Sequence, residues 1–301
     1  TYEHLRSLVT AVYASTNPLL ENALSAYLEK LDVCLTPSGA PIGDENINGR
    51  LADASEIGYE YCSIHELLDS YSHLLQKTGN PQWGDRIEWL LFNAGQGARH
   101  PQESSIAYLK TDNSYSMTGP LHTDDPIDPR NPQTRYKYSP AHQDVAVCCV
   151  PNAGRIYPYY VKSMWMRTSK GLFCALYGAS ELNTEVNGVK VHIKEETNYP
   201  FSDQLKFTYQ TNEKVAFPLH LRIPEWCKKP VIKVNGQIQA YSGDKIVKIN
   251  RQWIQNDVVE LQLPMEMNYS YWFENSLGIE RGPLVYALKI GESWREVKTD
   301  E

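Results

Sequence analysis

The last helical run of the chain opens with the stretch Val147-Cys148-Cys149-Val150-Pro151-Asn152. Proline is favoured at the first position of a helix, because the N–H group that it lacks would have no partner there. The sequence therefore predicts a helix from Asn152 to Met166. From about Gly171 apolar and polar residues alternate, which is the period of a β-strand. Helices therefore come first and strands follow, with the boundary between residues 166 and 171.

Two adjacent cysteines lie at this predicted helix entrance. Free N–H groups and the helix dipole stabilise an anion there. The position of Cys148 and Cys149 therefore predicts a lowered thiol pKa and more thiolate, the form that attacks carbon and binds metals. Adjacent side chains point apart in regular structure, so both sulfurs reach one ion only if the backbone turns between them. A disulfide between the two is a poor alternative, because a bridge between neighbours is strained.

The composition excludes some classes of protein. The chain has 301 residues, enough for two domains of about 100–200 residues each. Its net charge is -7 and it has no run of Lys and Arg, which argues against nucleic acid as the main partner. No apolar run approaches the roughly 18–20 residues that span a membrane. The first residues lack the basic and apolar regions of a signal peptide, but a cleaved signal stays open because the chain begins without Met. The compartment is left between the cytoplasm and the periplasm of a bacterium.

Apolar residues at helical spacing predict helices over residues 1 to about 35, 60–78 and 83–95. The second of these opens at Glu60-Tyr61-Cys62 and ends at Gly79, a C-terminal glycine followed by Pro81. A polar loop separates the first two helical regions. Residues 98–144 lack periodicity, and we expect them to form a long excursion with a few short strands over a site.

Period-two patterns predict seven strands after Gly171. They cover residues 172–177, 189–193, 205–209, 216–223, 231–234, 245–249 and 258–263. Asn235-Gly236 is a strong signal for a type I′ hairpin. Many short strands at regular spacing predict a β-sandwich. Cys174 and Cys227 lie within or close to these strands, and we expect both to be buried apolar residues.

One constellation suits a metal ion. Glu60, Cys62, Cys148 and Cys149 together offer one carboxylate and three sulfurs, a donor set that fits tetrahedral zinc. Neither the Glu60-x-Cys62 pair nor the adjacent Cys148-Cys149 pair has the common C-x-x-C ligand spacing. The alternative is a pair of buried cysteines near a helix start and an unrelated surface glutamate.

Carboxylates and histidines give further candidates. Glycoside hydrolysis commonly uses two carboxyl groups, and Asp44 and Glu45 lie together in the long loop. A lone Asp-Glu pair in a loop is more often solvated surface. His65 lies one helical turn past Cys62, and His142 lies six residues before Cys148. Either imidazole could reach the cysteines or be an ordinary packed or exposed histidine.

Several motifs in the same order resemble glycoside hydrolase family 127, the β-L-arabinofuranosidase-like proteins. They are Gly43-Asp44-Glu45, Glu60-Tyr61-Cys62, Thr78-Gly79-Asn80-Pro81, Cys148-Cys149-Val150-Pro151-Asn152, Leu221-Arg222-Ile223-Pro224-Glu225-Trp226, Val234-Asn235-Gly236 and Arg281-Gly282-Pro283-Leu284-Val285-Tyr286. The resemblance runs from about residue 17 to 288. It implies an (α/α)6 toroid followed by an antiparallel β-sandwich. About five helices cannot close such a toroid, so residues 1–166 are expected to be its later part and residues 167–301 the β-sandwich domain.

The resemblance also implies a site. It assigns a zinc ion to Glu60, Cys62, Cys148 and Cys149, the nucleophile to Cys148 and the acid/base to the loop before Glu60. Asp44 aligns there by spacing and Glu45 by residue type, and Glu45 is favoured. The family places substrate-binding His and Gln residues in the first half of the toroid, at positions that this chain lacks.

The function that the resemblance implies is a zinc-dependent retaining glycoside hydrolase. It would release terminal β-L-arabinofuranosyl or similar sugars from plant-type glycans through a cysteine nucleophile. Its partner would be an oligosaccharide or polysaccharide, with neither nucleic acid nor membrane, and a homodimer is left open. The alternative is a non-catalytic glycan-binding module in which zinc only holds the loops together.

Overall fold

The computed structural model describes residues 2–43, 58–112, 138–140 and 148–289. Five α-helices are α1 (Tyr2–Ala14), α2 (Pro18–Asp32), α3 (Tyr61–Thr78), α4 (Gln82–Leu90) and α5 (Cys149–Met164). A π-helical turn, Leu91–Gly95, continues α4. The helices predicted over residues 1–35, 60–78 and 83–95 are thus confirmed. Within the described residues, none of the helices is long and apolar enough to cross a bilayer.

Local chemistry explains where these helices begin and end. Asn17 caps α2 by accepting a hydrogen bond from the Leu19 N–H at 3.0 Å, and Pro18 takes the first helical position. Gly79 ends α3 in the left-handed conformation at φ 64°, where a side chain would be strained. Its N–H donates to the Leu75 carbonyl at 2.8 Å. Gly79 therefore ends α3 as predicted from the sequence.

The predicted bounds of the last helix were wrong at both ends. Helix α5 begins at Cys149 rather than Asn152, so Pro151 occupies its third position. Proline is tolerated there because the N–H groups of a first turn have no partner within the helix. The helix ends at Met164 rather than Met166, because Trp165 is extended at φ −120° and starts a strand.

Short strands accompany the helices. β1 (Tyr59–Glu60) pairs with β3 (Leu109–Lys110), and β2 (Ser105–Ala107) pairs with β4 (Tyr138–Pro140), both antiparallel. The described part of the excursion between residues 98 and 144 therefore contains the short strands that were expected. The β1–β3 pair sets Glu60 opposite Leu109 directly before α3 begins.

The second part of the chain forms three further sheets. A four-stranded sheet contains β5 (Trp165–Arg167), β6 (Leu172–Cys174), β10 (Val215–Arg222) and β13 (Ile246–Trp253), in the order β13-β10-β6-β5. A six-stranded antiparallel sheet contains β7 (Ser180–Val186), β8 (Val189–Thr197), β9 (Gln204–Thr211), β11 (Val231–Val234), β12 (Gln237–Gln239) and β14 (Val258–Gln262), in the order β12-β11-β14-β9-β8-β7. A third sheet contains β15 (Met267–Tyr271), β16 (Leu277–Arg281) and β17 (Leu284–Tyr286).

Two hairpins in the six-stranded sheet turn through asparagine and glycine. Asn235 and Gly236 have φ values of 50° and 79°, which confirms the predicted type I′ turn between β11 and β12. Asn187 and Gly188 make the same turn between β7 and β8, with φ values of 52° and 81°. Strand β7 was not predicted, because its sequence Ser-Glu-Leu-Asn-Thr-Glu-Val is mostly polar, and three of its seven residues are exposed.

The four-stranded and six-stranded sheets share one hydrophobic core. Tyr209 from β9 stacks on Trp253 from β13, with ring centroids 4.0 Å apart. Both side chains are fully buried. Cys174 and Cys227 lie in the same core at 0% and 1% exposure, as predicted. The chain therefore combines a helical part and several β-sheets.

A buried ion cluster joins the helical part to the four-stranded sheet. Arg222 at the end of β10 is fully buried and pairs with two carboxylates of α4, Asp85 at 2.6 Å and Glu88 at 2.5 Å. Its Nε donates to the carbonyl of Ala175 at 2.5 Å. A Cβ on Gly84 would lie 2.7 Å from the Arg222 side chain, so glycine permits this approach.

Glu195 makes the stability of this core depend on pH. Its carboxyl group is 2% exposed and accepts hydrogen bonds from the Gly178 N–H at 3.1 Å and the Ser180 hydroxyl at 2.8 Å. Burial outweighs those bonds and raises its pKa to about 8. The folded state therefore holds this proton more tightly than the unfolded chain, whose glutamate pKa is about 4.3. The free energy of unfolding should fall by on the order of a few kcal/mol as the pH rises from about 4.3 to about 8.

Urea titrations of wild type and Glu195→Gln at pH 5 and pH 8.5 measure this effect. The variant should lose much less stability than wild type between the two pH values, since glutamine does not ionise. Glu196→Gln is the matched control, because its neighbouring side chain is exposed on the same strand. Equal pH dependence in wild type and Glu195→Gln would contradict the assignment.

Candidate metal centre

Glu60 and Cys62 reach the site from the start of α3. Glu60 is the last residue of β1 and occupies the N-cap position of α3 without a capping hydrogen bond from its side chain, while Cys62 lies in the first turn of that helix. The Glu60 side chain is 1% exposed and the Cys62 side chain 7%. The Ser63 hydroxyl donates to the Glu60 carbonyl at 2.6 Å, which fixes the backbone where strand becomes helix. This junction turns the carboxylate and the sulfur to the same side.

Cys148 and Cys149 reach the site from the start of α5. Cys148 is the residue before the helix and already has helical backbone angles, φ −82° and ψ −40°. Cys149 is fully buried and Cys148 is exposed. Because α3 and α5 pack side by side with their first turns together, two segments more than 80 residues apart meet here.

The four predicted ligand side chains come together in one cluster, with all ligand atoms within 4.8 Å of one another. The sulfurs of Cys62 and Cys149 are 3.0 Å apart, and those of Cys148 and Cys149 are 3.8 Å apart. Glu60 Oε1 lies 3.6 Å from Cys149 Sγ and 3.8 Å from Cys148 Sγ. All of these cysteines are free thiols, so the disulfide alternative is not formed.

The distances between these ligand atoms are close to those expected around a tetrahedral zinc ion. Bonds of about 2.3 Å to sulfur set two sulfur ligands about 3.8 Å apart. The Cys148–Cys149 pair has that separation, and Glu60 Oε1 stands at a similar distance from both sulfurs. The Cys62–Cys149 pair is closer and would need to open by less than about 1 Å. One carboxylate and three sulfurs are also the ligand types that zinc accepts.

The prediction that the helix entrance lowers the pKa of both thiols was wrong for the protein groups taken by themselves. Burial is the largest effect on Cys148 and, with the hydrogen bond and charge of Cys62, raises its pKa to about 11. The hydrogen bond to Cys62, followed by burial, raises the pKa of Cys149 well above its usual range. Four acids in one buried cluster repel one another as anions, and this outweighs the helix entrance. A bound divalent cation reverses that balance.

Tyr2 and Asn152, which lie outside the cluster, donate hydrogen bonds to the side chains of two of its members, and sequence analysis identified neither as a site residue. The Tyr2 hydroxyl, from α1, donates to Glu60 Oε2, and the Asn152 amide donates to Cys62 Sγ at 3.2 Å. Burial and the bond to Glu60 raise the pKa of the Tyr2 hydroxyl. Asn152 belongs to the opening stretch of α5, so its closeness to the cysteines in sequence was a usable signal. The sequence gives no such signal for Tyr2, because 58 residues separate it from Glu60.

The remaining candidates from the sequence analysis are His65, Asp44, Glu45 and His142. His65 is buried beside the site, but its Nδ1 lies 3.3 Å from the Cys62 carbonyl oxygen and its Nε2 3.5 Å from the Arg155 guanidinium. It is therefore not among the four clustered ligands. Burial lowers its pKa. Asp44, Glu45 and His142 lie outside the described residues.

Comparison with known proteins gives one family match. Residues 171–265 match the sequence model described as β-L-arabinofuranosidase, GH127 middle domain. That segment holds β6 to β14, which is most of the two larger sheets. None of the curated proteins compared with the chain matches it.

Solved structures resemble a larger part of the chain. A GH127 β-L-arabinofuranosidase from Geobacillus stearothermophilus has a TM-score of 0.76 and 21% identity, over 93% of this chain and 45% of that one. A structure described as a glycoside hydrolase has a TM-score of 0.71 and 22% identity, over 93% and 50%. A GH127 β-arabinofuranosidase has a TM-score of 0.71 and 18% identity, over 94% and 46%.

The chain thus spans about half the length of these solved relatives. The resemblance to glycoside hydrolase family 127 that the motifs predict is confirmed, because residues 171–265 match the middle domain of that family and the chain shares the fold of its solved members.

Proposed function

We propose that this chain carries the catalytic centre of a zinc-dependent retaining glycoside hydrolase that releases terminal β-L-arabinofuranosyl or similar sugars from plant-type glycans. The observation that carries the proposal is the exposure of a single sulfur. Cys148 is open to solvent, whereas Glu60, Cys62 and Cys149 are buried. A nucleophile must meet its substrate, and Cys148 is the member of the cluster that can do so.

The residues that would hold the ion are Glu60, Cys62, Cys148 and Cys149. Their sulfur-rich donor set and their separations support zinc over hard, oxygen-seeking cations. When bound, the ion would keep the thiols deprotonated at neutral pH. The cluster alone favours protonated thiols, because burial and mutual repulsion raise the pKa of Cys148 to about 11.

In this proposal Cys148 attacks the anomeric carbon of the terminal sugar. A carbon–sulfur bond forms as the glycosidic carbon–oxygen bond breaks, and the acid/base gives its proton to the leaving oxygen. We assign that role to Glu45, with Asp44 as the second candidate. Glu45 then takes a proton from water, whose oxygen displaces the sulfur from the same carbon. Two displacements retain the anomeric configuration.

We infer the substrate class and the architecture from the solved structures that this chain resembles. Two solved structures with this fold are described as arabinofuranosidases, which supports an arabinofuranosyl oligosaccharide or polysaccharide as the substrate. We propose that residues 1–166 are the later part of an (α/α)6 toroid and that residues 167–301 are a β-sandwich domain. Within the described residues, five helices in the first segment and two sheets that share one core in the second support this division.

A second candidate is a non-catalytic glycan-binding module with a structural zinc ion. The observation that favours it is the count of four protein ligands, which already completes a tetrahedral shell as in structural zinc sites. This candidate predicts glycan binding without turnover.

Covalent trapping tests the hydrolase proposal. The zinc-loaded chain, incubated with a cysteine-directed arabinofuranosyl epoxide, should gain the mass of one sugar adduct on the peptide that contains Cys148. Peptide mass spectrometry locates the adduct. Cys148→Ala should stay unlabelled, while Cys227→Ala, whose thiol is buried in the sheet core, should be labelled as wild type. An adduct on another cysteine, or none in wild type, would contradict the assignment.

A further inference from the structure

The two oxygens of the Glu60 carboxylate have different partners. Oε1 faces the sulfurs of Cys149 and Cys148, at 3.6 Å and 3.8 Å. Oε2 accepts the hydrogen bond from the Tyr2 hydroxyl. A carboxylate can bind a metal ion through one oxygen or through both, and the choice changes the coordination number of the ion.

Helix α1 holds Tyr2 in this place. Arg6, one turn further along α1, pairs with two carboxylates of α3: Glu66 at 3.1 Å and Asp69 at 3.0 Å. Leu5 and Val9 on the same helix are buried in the core that α3 also lines. The Tyr2 ring is itself buried, at 7% exposure. The tyrosine therefore cannot stack on a substrate, and its hydroxyl has a fixed direction.

We infer that Tyr2 is a positioning residue that makes Glu60 a one-oxygen ligand of the metal ion. The inference depends on the proposed metal site. Its hydrogen bond uses one acceptor site of Oε2 and fixes the orientation of the carboxylate, so that Oε1 is the oxygen that faces the sulfurs of Cys148 and Cys149. Without the hydroxyl the carboxylate can rotate about its last side-chain bond and offer both oxygens. A five-coordinate arrangement or a weaker bond to the ion follows.

Asn152, in α5, holds the Cys62 sulfur by a hydrogen bond in the same way. Its amide donates to the Cys62 sulfur at 3.2 Å. The Glu60 and Cys62 side chains are thus each held by a hydrogen bond from another helix, from α1 and from α5 respectively. Outer contacts of this kind orient metal ligands, and their loss commonly weakens metal binding about 10–100-fold.

Metal titrations of the full chain test the role of Tyr2. Tyr2→Phe removes the hydroxyl and keeps the ring. Competition with a chromophoric chelator should give a zinc Kd about 10–100-fold higher than that of wild type. In the cobalt-substituted protein the visible d–d absorption should weaken, because five-coordinate cobalt absorbs less strongly than tetrahedral cobalt. A merely structural role for Tyr2 would not change this spectrum.

Tyr13→Phe is the matched control, since Tyr13 lies on the same helix and is 43% exposed. It should bind zinc and cobalt as wild type does. Arg6→Met gives a second test if Tyr2→Phe does not fold, because it loosens α1 from α3 without touching a ligand atom. It should shift the cobalt spectrum in the same direction.

The outcomes separate this inference from the proposed function. One equivalent of metal in wild type with unchanged affinity and cobalt spectrum in Tyr2→Phe overturns the role of Tyr2 alone, and an unchanged spectrum in Arg6→Met does so where Tyr2→Phe does not fold. A wild-type chain that binds neither zinc nor cobalt overturns the proposed metal site together with it. Weaker binding and a weaker d–d band in Tyr2→Phe, with Tyr13→Phe unchanged, support the inference.

Discussion

Replacement of Cys148 by alanine should reduce the turnover of a nitrophenyl β-L-arabinofuranoside by at least about 10³-fold, which corresponds to about 4 kcal/mol of lost transition-state stabilisation. The reason is that a two-step displacement has no first step without its nucleophile. Cys148 is also the exposed sulfur of the cluster, so no other described ligand can take over from it. Initial rates for wild type and variant measure the effect.

Two controls separate the loss of chemistry from the loss of folding and of glycan binding. Cys227→Ala removes a thiol that is equally small but buried in the sheet core, and its turnover should stay within about twofold of wild type. Retention on an immobilised arabinan should be the same for Cys148→Ala and wild type. Turnover of Cys148→Ala within tenfold of wild type would refute the nucleophile assignment. Glycan retention without turnover in wild type itself would favour the binding module.

Replacement of Arg222 by methionine should lower the free energy of unfolding by about 3–5 kcal/mol. The substitution keeps most of the side-chain volume but leaves Glu88 buried at 0% exposure without its cation. Tyr199 still donates to the Glu88 carboxylate at 2.6 Å, yet a hydroxyl does not neutralise the charge. Because Arg222 also binds Asp85, the change weakens the contact between α4 and the four-stranded sheet. Urea denaturation followed by circular dichroism gives the difference.

The size of this effect depends on burial, and two further variants show it. Lys194→Met breaks an ion pair whose side chains are both 46% exposed, and it should cost far less stability than Arg222→Met. The double variant Arg222→Met/Glu88→Gln has no buried charge at this place. Its free energy of unfolding should therefore fall by less than that of Arg222→Met alone. If Arg222→Met and Lys194→Met lower the free energy of unfolding equally, the buried ion cluster contributes no more to stability than an exposed ion pair.

Periodicity in the sequence predicted most of the elements. The helical spacing of Ile64, Leu67 and Leu68 predicted α3, and alternation in Leu205-Lys206-Phe207 predicted β9, because one face of each element must be buried. Strands β5 and β7 and the third sheet, β15 to β17, were not predicted. For β7 the reason is that an edge strand with polar residues on both faces has no such pattern. The ends of α5 were wrong because its first turn tolerates Pro151 at more than one position.

For the candidate site, the residue types and the resemblance were enough to name the four side chains whose ligand atoms lie within 4.8 Å of one another. Their role as zinc ligands and the role of Glu45 stay predictions. The direction of the thiol pKa shifts was not predictable from the helix entrance alone. It depends on how close the sulfurs of Cys62 and Cys149 and the Glu60 carboxylate lie, and on burial.

The sequence by itself determined that helices precede strands and that three sulfurs and a carboxylate are available, because period and residue type are properties of neighbours along the chain. Only the tertiary structure decided that Cys148 is the exposed sulfur, that Tyr2 bonds to Glu60 and that Arg222 meets Glu88. These pairs lie 58 and 134 residues apart, and the free energy of such contacts depends on distance in space and on burial, which no local pattern contains.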